Sequence, residues 1–511
     1  MSALIAGTAD SADSHSPRNA LPVGDFSSHG DIGNPAITGS SNYGATSQSY
    51  TMTAAGKNLW GAEDEFQFAW NEIAGDFIVR ARVNFVGEGI DPHRKAGWMI
   101  RADLDKGSAY ADGCIHGDGL TSLQYRAEKD GETAEVILEN LLNGTVPDVL
   151  QFERRDGTFI FSAARYGEPL KSVELSTVDL PDRVYVGLFL CSHREDVVEQ
   201  AIFRDVRIIK PAAPDFRPYQ DYLGSNLEAL DVFSGKLMSL HRSSESFEAP
   251  NWTVDGERLI LNISGTGPAK GELRNFDLDT RRISKLNTGE IVQNNNDHVL
   301  SFDGKLLGIS SHEGPDRTSV IYTLPSTGSD HPTAVTDAAW GHSFLHGWSP
   351  DNRWLVYTAN RKNQWDIYKV DRFTREEVQL TDSDALDDGS EYSPDGQWIY
   401  FNSARTGYMQ IWRMRPDGSD QEQVFADQSQ NWFPHISPDG KWMVFLSYDA
   451  DQVAADQHPY YQHVTISLMP TDGSTAPRIV AYVYGGQGTI NVPSWSPDSR
   501  SIAFVSNTGA F

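Results

Sequence analysis

A short turn sequence recurs six times in the second half of the chain, and it constrains the fold more than any other feature. Each copy starts with Ser or Thr and has Asp two residues later, most often as Ser-Pro-Asp-Gly. The copies begin at Thr253, Ser301, Ser349, Ser393, Ser437 and Ser496. An apolar strand-like run follows each turn. Asp-Gly between such runs is typical of a type I′ hairpin, which has positive φ at both central residues.

The spacing of these turns predicts a six-bladed β-propeller. Successive copies begin 48, 48, 44, 44 and 59 residues apart, and about 40–50 residues is the length of a blade of four short strands. Only one hairpin follows Ser496, while the segment 227–240 offers an outer hairpin without inner strands. We therefore expect the two ends of this domain to complete one blade together, which closes the ring and removes exposed sheet edges.

The chain ahead of the repeat has a different pattern. Alternating strand-like segments run from residue 76 to residue 189, and no segment with helical periodicity competes with them. These segments predict an antiparallel β-sandwich. A proline-rich stretch at 208–218 marks the boundary between domains. The predicted organisation is all-β, with a flexible N-terminus at 1–20, a sandwich at 21–212 and the propeller at 213–511.

Composition and missing motifs exclude several classes of function. Asp and Glu outnumber Lys and Arg by 70 to 42, a formal net charge of −28, so we expect no nucleic-acid partner. No apolar run approaches the about 18–20 residues of a membrane helix, which predicts no membrane insertion. No glycine-rich phosphate loop or nucleotide fingerprint occurs, so we expect no nucleotide or organic cofactor. Cys114 and Cys191 are predicted to be buried free thiols.

Both parts of the chain also resemble known families. The Ser-Pro-Asp-Gly repeats, over residues 218–511, resemble the TolB-type repeats of periplasmic and secreted propellers. Residues 60–210 resemble the concanavalin-like jelly roll found beside carbohydrate-active modules, chiefly at Gly75-Asp76-Phe77, 94–101 and 185–188. The resemblance implies a periplasmic or secreted protein. Residues 1–25 lack the pattern of a signal peptide, so we expect the export signal to be absent from this sequence.

The segments just before the innermost strands hold the candidate site, because in a propeller they surround the central channel on one face. Four successive blades offer ionisable side chains there: His298, His346, Glu391 and His435. This set suits a divalent ion such as Mn, Zn or Ca. Without a metal, His346, Glu391 and His435 can act as acid and base. The alternative is that each His only binds a neighbouring blade.

The register of these four residues is uneven. His298 and His346 stand three residues before the repeated Ser, whereas Glu391 and His435 stand two before it. In a regular strand a shift of one residue reverses the face of the sheet. A bulge is therefore needed to bring all four side chains together.

Cationic and aromatic side chains complete the predicted site. Arg405, in the loop after the second strand of its blade, is the predicted catalytic cation. Tyr and Trp rings suit stacking on sugars. The predicted substrate-binding residues are Asn296, Asp388, Asn431, Trp432, His458, Tyr461, Gln487 and Asn491.

Two functions are compatible with these features. TolB-like propellers include protein-binding modules, peptidase gates and, in the oligogalacturonate lyase group, metal-assisted pectin-degrading enzymes. The first hypothesis is an exported carbohydrate-active enzyme that binds and cleaves a glycan in the propeller funnel, with the jelly roll assisting recognition. The second is a noncatalytic scaffold that binds a protein or a glycan through the same face.

The first hypothesis has two chemical forms. A lyase would use a His as base at the carbon next to a uronate carboxylate, which a metal or Arg405 neutralises. A glycoside hydrolase would need paired carboxyls, for which Glu391 with Asp387 or Asp388 is the available set.

Overall fold

The computed structural model describes residues 21–139 and 146–510. The predicted flexible segment 1–20 lies outside these residues. The chain divides into two compact units, one ending at Ile208 and the other spanning Ile209–Ala510, where the sequence predicts a division at 212. Among the described residues no helix is long and apolar enough to cross a membrane. Short 3-10 turns occur at Pro315–Arg317 and Ala338–Trp340.

The first unit consists of two seven-stranded sheets. Its strands are β1 (Ser28–Ile32), β2 (Ser40–Gly44), β3 (Ser49–Gly56), β4 (Phe66–Ala74), β5 (Phe77–Phe85), β6 (Lys95–Arg101), β7 (Tyr110–His116), β8 (Thr121–Arg126), β9 (Ala134–Ile137), β10 (Val149–Arg155), β11 (Thr158–Ala164), β12 (Lys171–Leu175), β13 (Arg183–Cys191) and β14 (Arg194–Ile209). One sheet has the order β1-β4-β13-β6-β7-β8-β9 and is antiparallel throughout. The other has the order β12-β11-β10-β5-β14-β3-β2.

The two sheets share one hydrophobic core. Trp98 on β6 belongs to the same buried cluster as Val79 on β5 and Phe161 on β11. Alternation along each strand directs one row of apolar side chains inward, which is why both sheets can contribute to this cluster. The unit is thus all-β and built of two sheets, and its assignment as a concanavalin-like jelly roll stays a prediction.

The two cysteines of the first unit are buried free thiols, as predicted. Burial raises the pKa of Cys191 to about 12, and it raises the pKa of Cys114 as well. Neither thiol therefore ionises readily, and the thiolate is the form that reacts.

The second unit consists of six small sheets arranged as the blades of a propeller. Its strands are β15 (Gly224–Asp231), β16 (Lys236–Ser243), β17 (Phe247–Trp252), β18 (Arg258–Ile263), β19 (Leu273–Asp277), β20 (Ile283–Lys285), β21 (Asn294–Leu300), β22 (Leu306–Ser311), β23 (Val320–Pro325), β24 (Thr333–Ala334), β25 (Ser343–Trp348), β26 (Trp354–Arg361), β27 (Gln364–Asp371), β28 (Glu377–Gln379), β29 (Asp387–Tyr392), β30 (Ile399–Ser403), β31 (Gln410–Met414), β32 (Glu422–Phe425), β33 (Ser429–Ile436), β34 (Trp442–Asp449), β35 (Gln462–Pro470), β36 (Arg478–Gly485) and β37 (Ser501–Thr508).

Five of these blades are continuous in sequence. Blades 1 to 5 are the four-stranded sheets β17–β20, β21–β24, β25–β28, β29–β32 and β33–β36. In each, the first strand in sequence is the innermost. The six-bladed, all-β architecture predicted from the repeat is confirmed.

Blade 6 is built from both ends of the unit, as the sequence predicted. Strand β37 pairs antiparallel with β15, and β15 pairs with β16. An isolated bridge between Trp495 and Ile502 supplies the innermost position. Strand β37, near the end of the chain, therefore pairs with β15, the first strand of the propeller, and this pairing closes the ring.

The repeated turn has a common hydrogen-bond pattern. In the fifth blade the Ser437 hydroxyl donates to Asp439 Oδ1 over 2.6 Å and accepts from the Trp442 amide over 3.0 Å. The Gly440 amide donates to the Ser437 carbonyl over 2.8 Å. These bonds satisfy the polar groups of the turn locally, which explains why Ser or Thr and Asp recur two residues apart.

The turn type differs from the prediction. Positive φ occurs only at the fourth residue of each copy, with values from 59° to 79°, at Gly256, Gly304, Asn352, Gly396, Gly440 and Ser499. The residue before it has negative φ, so the predicted type I′ turn is wrong. The geometry is that of a type I turn followed by one left-handed residue, within a loop of four residues between hydrogen-bonded partners such as Ser437 and Trp442.

Candidate functional site

One cavity of about 870 Å³ receives side chains from all six blades. Its walls come from the starts of the innermost strands and from the loops between the second and third strands. In a propeller both sets of segments lie on the same face. A cavity of this size can take a drug-sized or oligosaccharide-sized ligand.

In nearly every blade, the residue five positions before the repeated Ser or Thr lines this cavity. Five of the six residues at this register line it, and they are Glu248, Asn296, Phe344, Asp388 and Asn491. The sixth, Trp432, stacks on the cavity residue His458 with ring centroids 4.5 Å apart. Side chains at one repeat register thus form the inner ring of the site.

In the innermost strands a β-bulge comes directly after the residue that belongs to the inner ring of the site. This bulge determines which of the following side chains face the cavity. In blades 1, 4 and 5 the residue after the ring position has positive φ, namely Ala249, Gly389 and Phe433. Beyond the bulge the regular pairing resumes. A bulge turns the following side chains to a different face.

Blades 2 and 3 carry a different bulge, and it explains the placement of their histidines. In blade 3, Leu345 pairs with Tyr357 and Gly347 with Val356, so His346 is the extra residue and lines the cavity. In blade 2 the irregular stretch ends at His298, which pairs regularly with Ile309. His298 therefore points into the blade, although it has the same sequence register as His346.

His346 and Asp388 form an ion pair at the cavity wall. His346 Nε2 lies 3.0 Å from Asp388 Oδ1, and the same oxygen accepts from the Thr358 hydroxyl over 2.6 Å. Burial disfavours charge on both groups, but their mutual attraction prevails: the pKa of His346 is raised and that of Asp388 is lowered well below its ordinary range. Each group thus stabilises the charged form of the other.

Two further carboxyls of the cavity behave in the opposite way. Burial, together with the charge of Asp388, raises the pKa of Asp297 to about 6, although His346 opposes this shift. Burial also raises the pKa of Glu248 to about 7, with the charge of Asp297 adding to the effect. The cavity therefore holds one carboxyl with a lowered pKa, that of Asp388, and two with raised pKa values, those of Asp297 and Glu248.

Three buried acceptor atoms on cavity residues have no hydrogen-bond donor among the described residues: Glu248 Oε1, Asn294 Oδ1 and Asn491 Oδ1. The orientation of the Asn294 amide is fixed, because its Nδ2 donates to the carbonyl oxygens of Gly271 and Ile291. Buried acceptors normally find donors. A ligand rich in hydroxyl or amino groups would supply them.

Aromatic rings line two parts of the cavity. Phe344 and Trp365 of blade 3 stack with centroids 5.7 Å apart. Elsewhere Tyr460 of the blade 5 insertion contacts Tyr219 and Tyr222 edge to face. Aromatic faces of this kind suit the apolar faces of sugar rings.

Six of the predicted site residues line the cavity. They are Asn296, His346, Asp388, His458, Gln487 and Asn491. The other seven do not line it, and they are His298, Glu391, His435, Arg405, Asn431, Trp432 and Tyr461.

Glu391 and His435 bind each other and link three blades. His435 Nδ1 lies 2.7 Å from Glu391 Oε2, and His435 Nε2 lies 2.6 Å from the Ile490 carbonyl oxygen. Glu391 Oε1 accepts from the Ile436 amide over 3.0 Å. Both ring nitrogens and both carboxyl oxygens are engaged, so this pair connects blades 4, 5 and 6 rather than facing a ligand.

His298 is placed similarly, with its Nε2 3.2 Å from the Ile260 carbonyl of blade 1. The geometry at His298 and His435 matches the alternative of an inter-blade hydrogen bond. The structure does not gather His298, His346, Glu391 and His435 into one ligand set. Among the described residues no group of three or more His, Cys, Asp or Glu is placed to hold a metal ion, so the predicted Mn, Zn or Ca set does not fit.

Arg405 is held by its own blade. Its guanidinium donates to Asp387 Oδ2, Gln421 Oε1 and Ser403 Oγ over 2.6–2.7 Å. Asp387 is thereby occupied as well. The predicted hydrolase pair of Glu391 with Asp387 or Asp388 therefore leaves only Asp388 at the cavity.

The remaining three predicted binding residues act within the fold. Asn431 donates to Gln410 and Asp427, and the Tyr461 hydroxyl accepts from the Leu223 amide over 2.9 Å. Trp432 is fully buried beneath His458. Each supports a neighbour of the cavity without lining it.

Glu248 and Asp297 are candidates that the sequence prediction missed. The signal for Glu248 is the register itself, because counting five residues back from Thr253 selects it. Asp297 follows the ring residue Asn296 and reaches the cavity through the wide bulge of blade 2, which no repeat pattern indicates.

Comparison with known proteins agrees with this architecture. Residues 300–484 match the family described as PD40, the TolB beta propeller domain. An uncharacterized protein of Agrobacterium fabrum is 42% identical over 282 residues, which are 55% of this chain and 92% of that protein. The chain belongs, through its propeller, to the family of TolB-like β-propeller proteins.

A solved structure gives the same result. A putative TolB from Agrobacterium tumefaciens is 40% identical with a TM-score of 0.52, and the match covers 57% of this chain and all of that one (100%). An oligogalacturonate lyase in complex with manganese is similar at 16% identity and a TM-score of 0.36, over 57% of this chain and 78% of that one. At that distance nothing about its metal or activity transfers to this chain.

Proposed function

We propose that the propeller binds a carbohydrate in the six-blade cavity and hydrolyses a glycosidic bond there, with Asp297 as general acid and Asp388 as the ionised carboxylate. One observation carries the proposal: two electrostatically coupled carboxyls of one cavity have pKa values shifted in opposite directions. Glycoside hydrolysis needs a protonated and an ionised carboxyl beside the bond that breaks.

The reaction assigned to these groups is hydrolysis by one water molecule. The glycosidic C–O bond breaks, and the leaving oxygen takes the proton of Asp297. The water oxygen bonds to the anomeric carbon, and a proton of that water passes to Asp388. His346, which is hydrogen-bonded to Asp388, keeps this carboxylate ionised until the proton arrives. Proton exchange through solvent then restores both carboxyls.

The rest of the cavity supports a carbohydrate as ligand. The acceptors on Asn294 and Asn491 that lack donors suit sugar hydroxyls. The stacked pair Phe344 and Trp365 offers an aromatic face on the cavity wall. Polar groups fix the orientation of a sugar, and rings contribute affinity through its apolar face.

A panel of oligosaccharides tests the proposal, with products followed by mass spectrometry and by ultraviolet absorbance. We expect products that have gained one water. Asp297→Asn and Asp388→Asn should each lower kcat at least about 100-fold, the usual contribution of a general acid or base. The matched control is Asp366→Asn, another buried carboxyl with a raised pKa that does not line the cavity.

Activity should also fall as the pH rises through about 6, because Asp297 then loses the proton that it donates. Unsaturated products that absorb in the ultraviolet would indicate that the protein is a lyase rather than a hydrolase. Saturable binding without any turnover would favour the noncatalytic scaffold. Absence of both binding and turnover on neutral, amino and uronic glycans would refute the proposal.

We further propose a periplasmic or secreted location and a concanavalin-like jelly roll in the first unit that assists recognition. The likeness to a putative TolB supports the periplasmic or secreted location. The two large sheets that share one core support the jelly roll. Cell fractionation checks the location. Glycan binding that persists when both cavity carboxyls are replaced would indicate a second binding surface.

A further inference from the structure

The end of the cavity formed by Tyr219, Tyr222, Tyr460 and Glu248, here called the tyrosine–glutamate end, differs in chemistry from the rest. Tyr460 lies 5.5 Å from Tyr219 and 6.0 Å from Tyr222 between ring centroids, both edge to face. The Tyr219 hydroxyl donates to Gln487 Oε1 over 3.0 Å, which holds that ring at the cavity. Three electron-rich rings thus surround one corner.

A carboxyl stands beside these rings with one oxygen unused. Glu248 is 4% exposed, and its Oε2 accepts from Asn296 Nδ2 over 2.9 Å. Its Oε1 has no hydrogen-bond donor among the described residues. The Ser264 and Tyr460 hydroxyls lie close enough to the carboxyl to lower its pKa, although neither meets the geometry of a hydrogen bond to Oε1.

The backbone is adapted to hold Glu248 in this place. Gly488 has a φ of +88°, and a Cβ at that position would lie 2.5 Å from Glu248 Oε2. The Gly488 carbonyl accepts from the Ala249 amide. Only glycine permits this approach, so the carboxyl is fixed by the fold rather than free to turn away.

A cation already contacts one of the rings. Lys270 Nζ lies 5.6 Å from the centroid of Tyr222, which is within the range of a cation–π contact. Lys270 is exposed and makes no ion pair within the described part of the chain. Its ammonium is therefore held weakly and can give way to a ligand.

We infer that the tyrosine–glutamate end binds the ammonium group of the ligand, so that the substrate class is a carbohydrate with free amino groups. An ammonium here would contact ring faces and donate to Glu248 Oε1, the acceptor that lacks a donor. The carboxyls of Glu248, Asp297 and Asp388 line the cavity together with the imidazoles of His346 and His458, and the side chains of Lys270 and Arg317 line it as well. This inference deepens the proposed carbohydrate binding and rests on it.

Binding of an ammonium should also draw a proton from the cavity. Burial raises the pKa of Glu248 to about 7, and a cation at Oε1 would lower it. The titratable groups facing Glu248 are Asp297 and the phenols of Tyr219, Tyr222, Tyr460 and Tyr461. The phenol pKa values are raised, so only Glu248 and Asp297 can release a proton near neutral pH.

Three tetrasaccharides that differ only at carbon 2 test the inference by calorimetry on the full chain: the glucosamine, N-acetylglucosamine and glucose forms with the same β-1,4 linkage. We expect the glucosamine form to bind about tenfold or more tighter than the other two, which corresponds to the about 1–2 kcal/mol of a desolvated ammonium contact. Its binding near about pH 6.5 should release a proton, measured in buffers of different ionisation enthalpy.

Two variants test whether Glu248 and Tyr222 cause the preference for the glucosamine form. Glu248→Gln should abolish the proton release and reduce the preference to about threefold or less, while the affinity for the glucose form changes little. Tyr222→Leu should weaken the glucosamine form selectively, and it remains informative if Glu248→Gln fails to fold. Tyr408→Leu is the matched control, because Tyr408 is 42% exposed and does not line the cavity.

The outcomes separate this inference from the proposed function. Equal affinity for all three sugars, with hydrolysis observed, overturns the ammonium subsite and leaves the hydrolase proposal standing. Binding of methylammonium that depends on Glu248, with no sugar bound or cleaved, keeps the subsite and overturns the carbohydrate function. If neither sugars nor methylammonium bind, both are wrong.

Discussion

Replacing Glu248 by Gln should change how the stability of the propeller depends on pH. In the folded protein burial raises the pKa of Glu248 to about 7, with the charge of Asp297 adding to this effect, from an ordinary 4.5. The folded state therefore holds the proton more tightly than the unfolded chain does. This contributes stability that is fully present below about pH 4.5 and is lost as the pH rises through about 7.

The magnitude follows from the two pKa values. The difference between about 7 and 4.5, at about 1.4 kcal/mol for each tenfold change in proton affinity, corresponds to about 3 kcal/mol. Most of this amount should be lost between about pH 5 and about pH 8. Glutamine cannot ionise and keeps an oxygen for the Asn296 amide, so the variant should lack this loss.

Urea unfolding of the full chain, followed by tryptophan fluorescence, measures the effect. Ten of the 13 tryptophans lie in the second unit, so the signal reports mainly the propeller. Wild type should lose about 2–3 kcal/mol more than Glu248→Gln between about pH 5 and about pH 8. Glu257→Gln, at an exposed position outside the cavity, should follow wild type. Parallel pH curves for wild type and Glu248→Gln would refute the buried, protonated carboxyl.

Two further predictions concern the geometry of the site. Asp388→Asn should lower the pKa of His346, because the carboxylate that opposes the effect of burial is lost; a titration of the His346 ring by NMR checks this, and an unchanged pKa would contradict the ion pair. Gly488→Ala should destabilise the propeller by about 1–3 kcal/mol more than Gly440→Ala in urea unfolding. Both positions have positive φ, but only at Gly488 does a Cβ meet the Glu248 side chain, so equal losses would contradict that contact.

The architecture of the propeller was predictable because its determinants are local. Each turn needs Ser or Thr, Asp and a left-handed residue within four positions, and these residues bond to one another, as Ser437 and Asp439 do. The closure of the ring was also predictable, since strand count at both ends left one incomplete blade. The turn type was not, because Asp-Gly fits both a type I′ turn and a type I turn followed by glycine.

The site was predictable as a face of the propeller but not as a set of residues. His298 and His346 share a sequence register, yet only His346 lines the cavity, because it is itself the extra residue of a bulge. The position of a bulge depends on the packing between blades, and no local sequence pattern indicates that position. Arg405 was attractive as a cation near the cavity, but the buried Asp387 of its own blade binds it instead.

The bulge divides the residues of the innermost strands into two tiers. The first tier comes before the bulge and the second comes after it. Before it, the ring residues vary from blade to blade as Glu248, Asn296, Phe344, Asp388, Trp432 and Asn491. After it, His298 and His435 bind carbonyl oxygens of neighbouring blades. His298 and His435 of the second tier thus connect neighbouring blades, whereas five of the six first-tier residues line the cavity and the sixth, Trp432, lies buried beneath His458. If the propeller binds a ligand as proposed, we expect its specificity to depend mainly on the residues five positions before each repeated turn, while His298 and His435 connect the blades that present them.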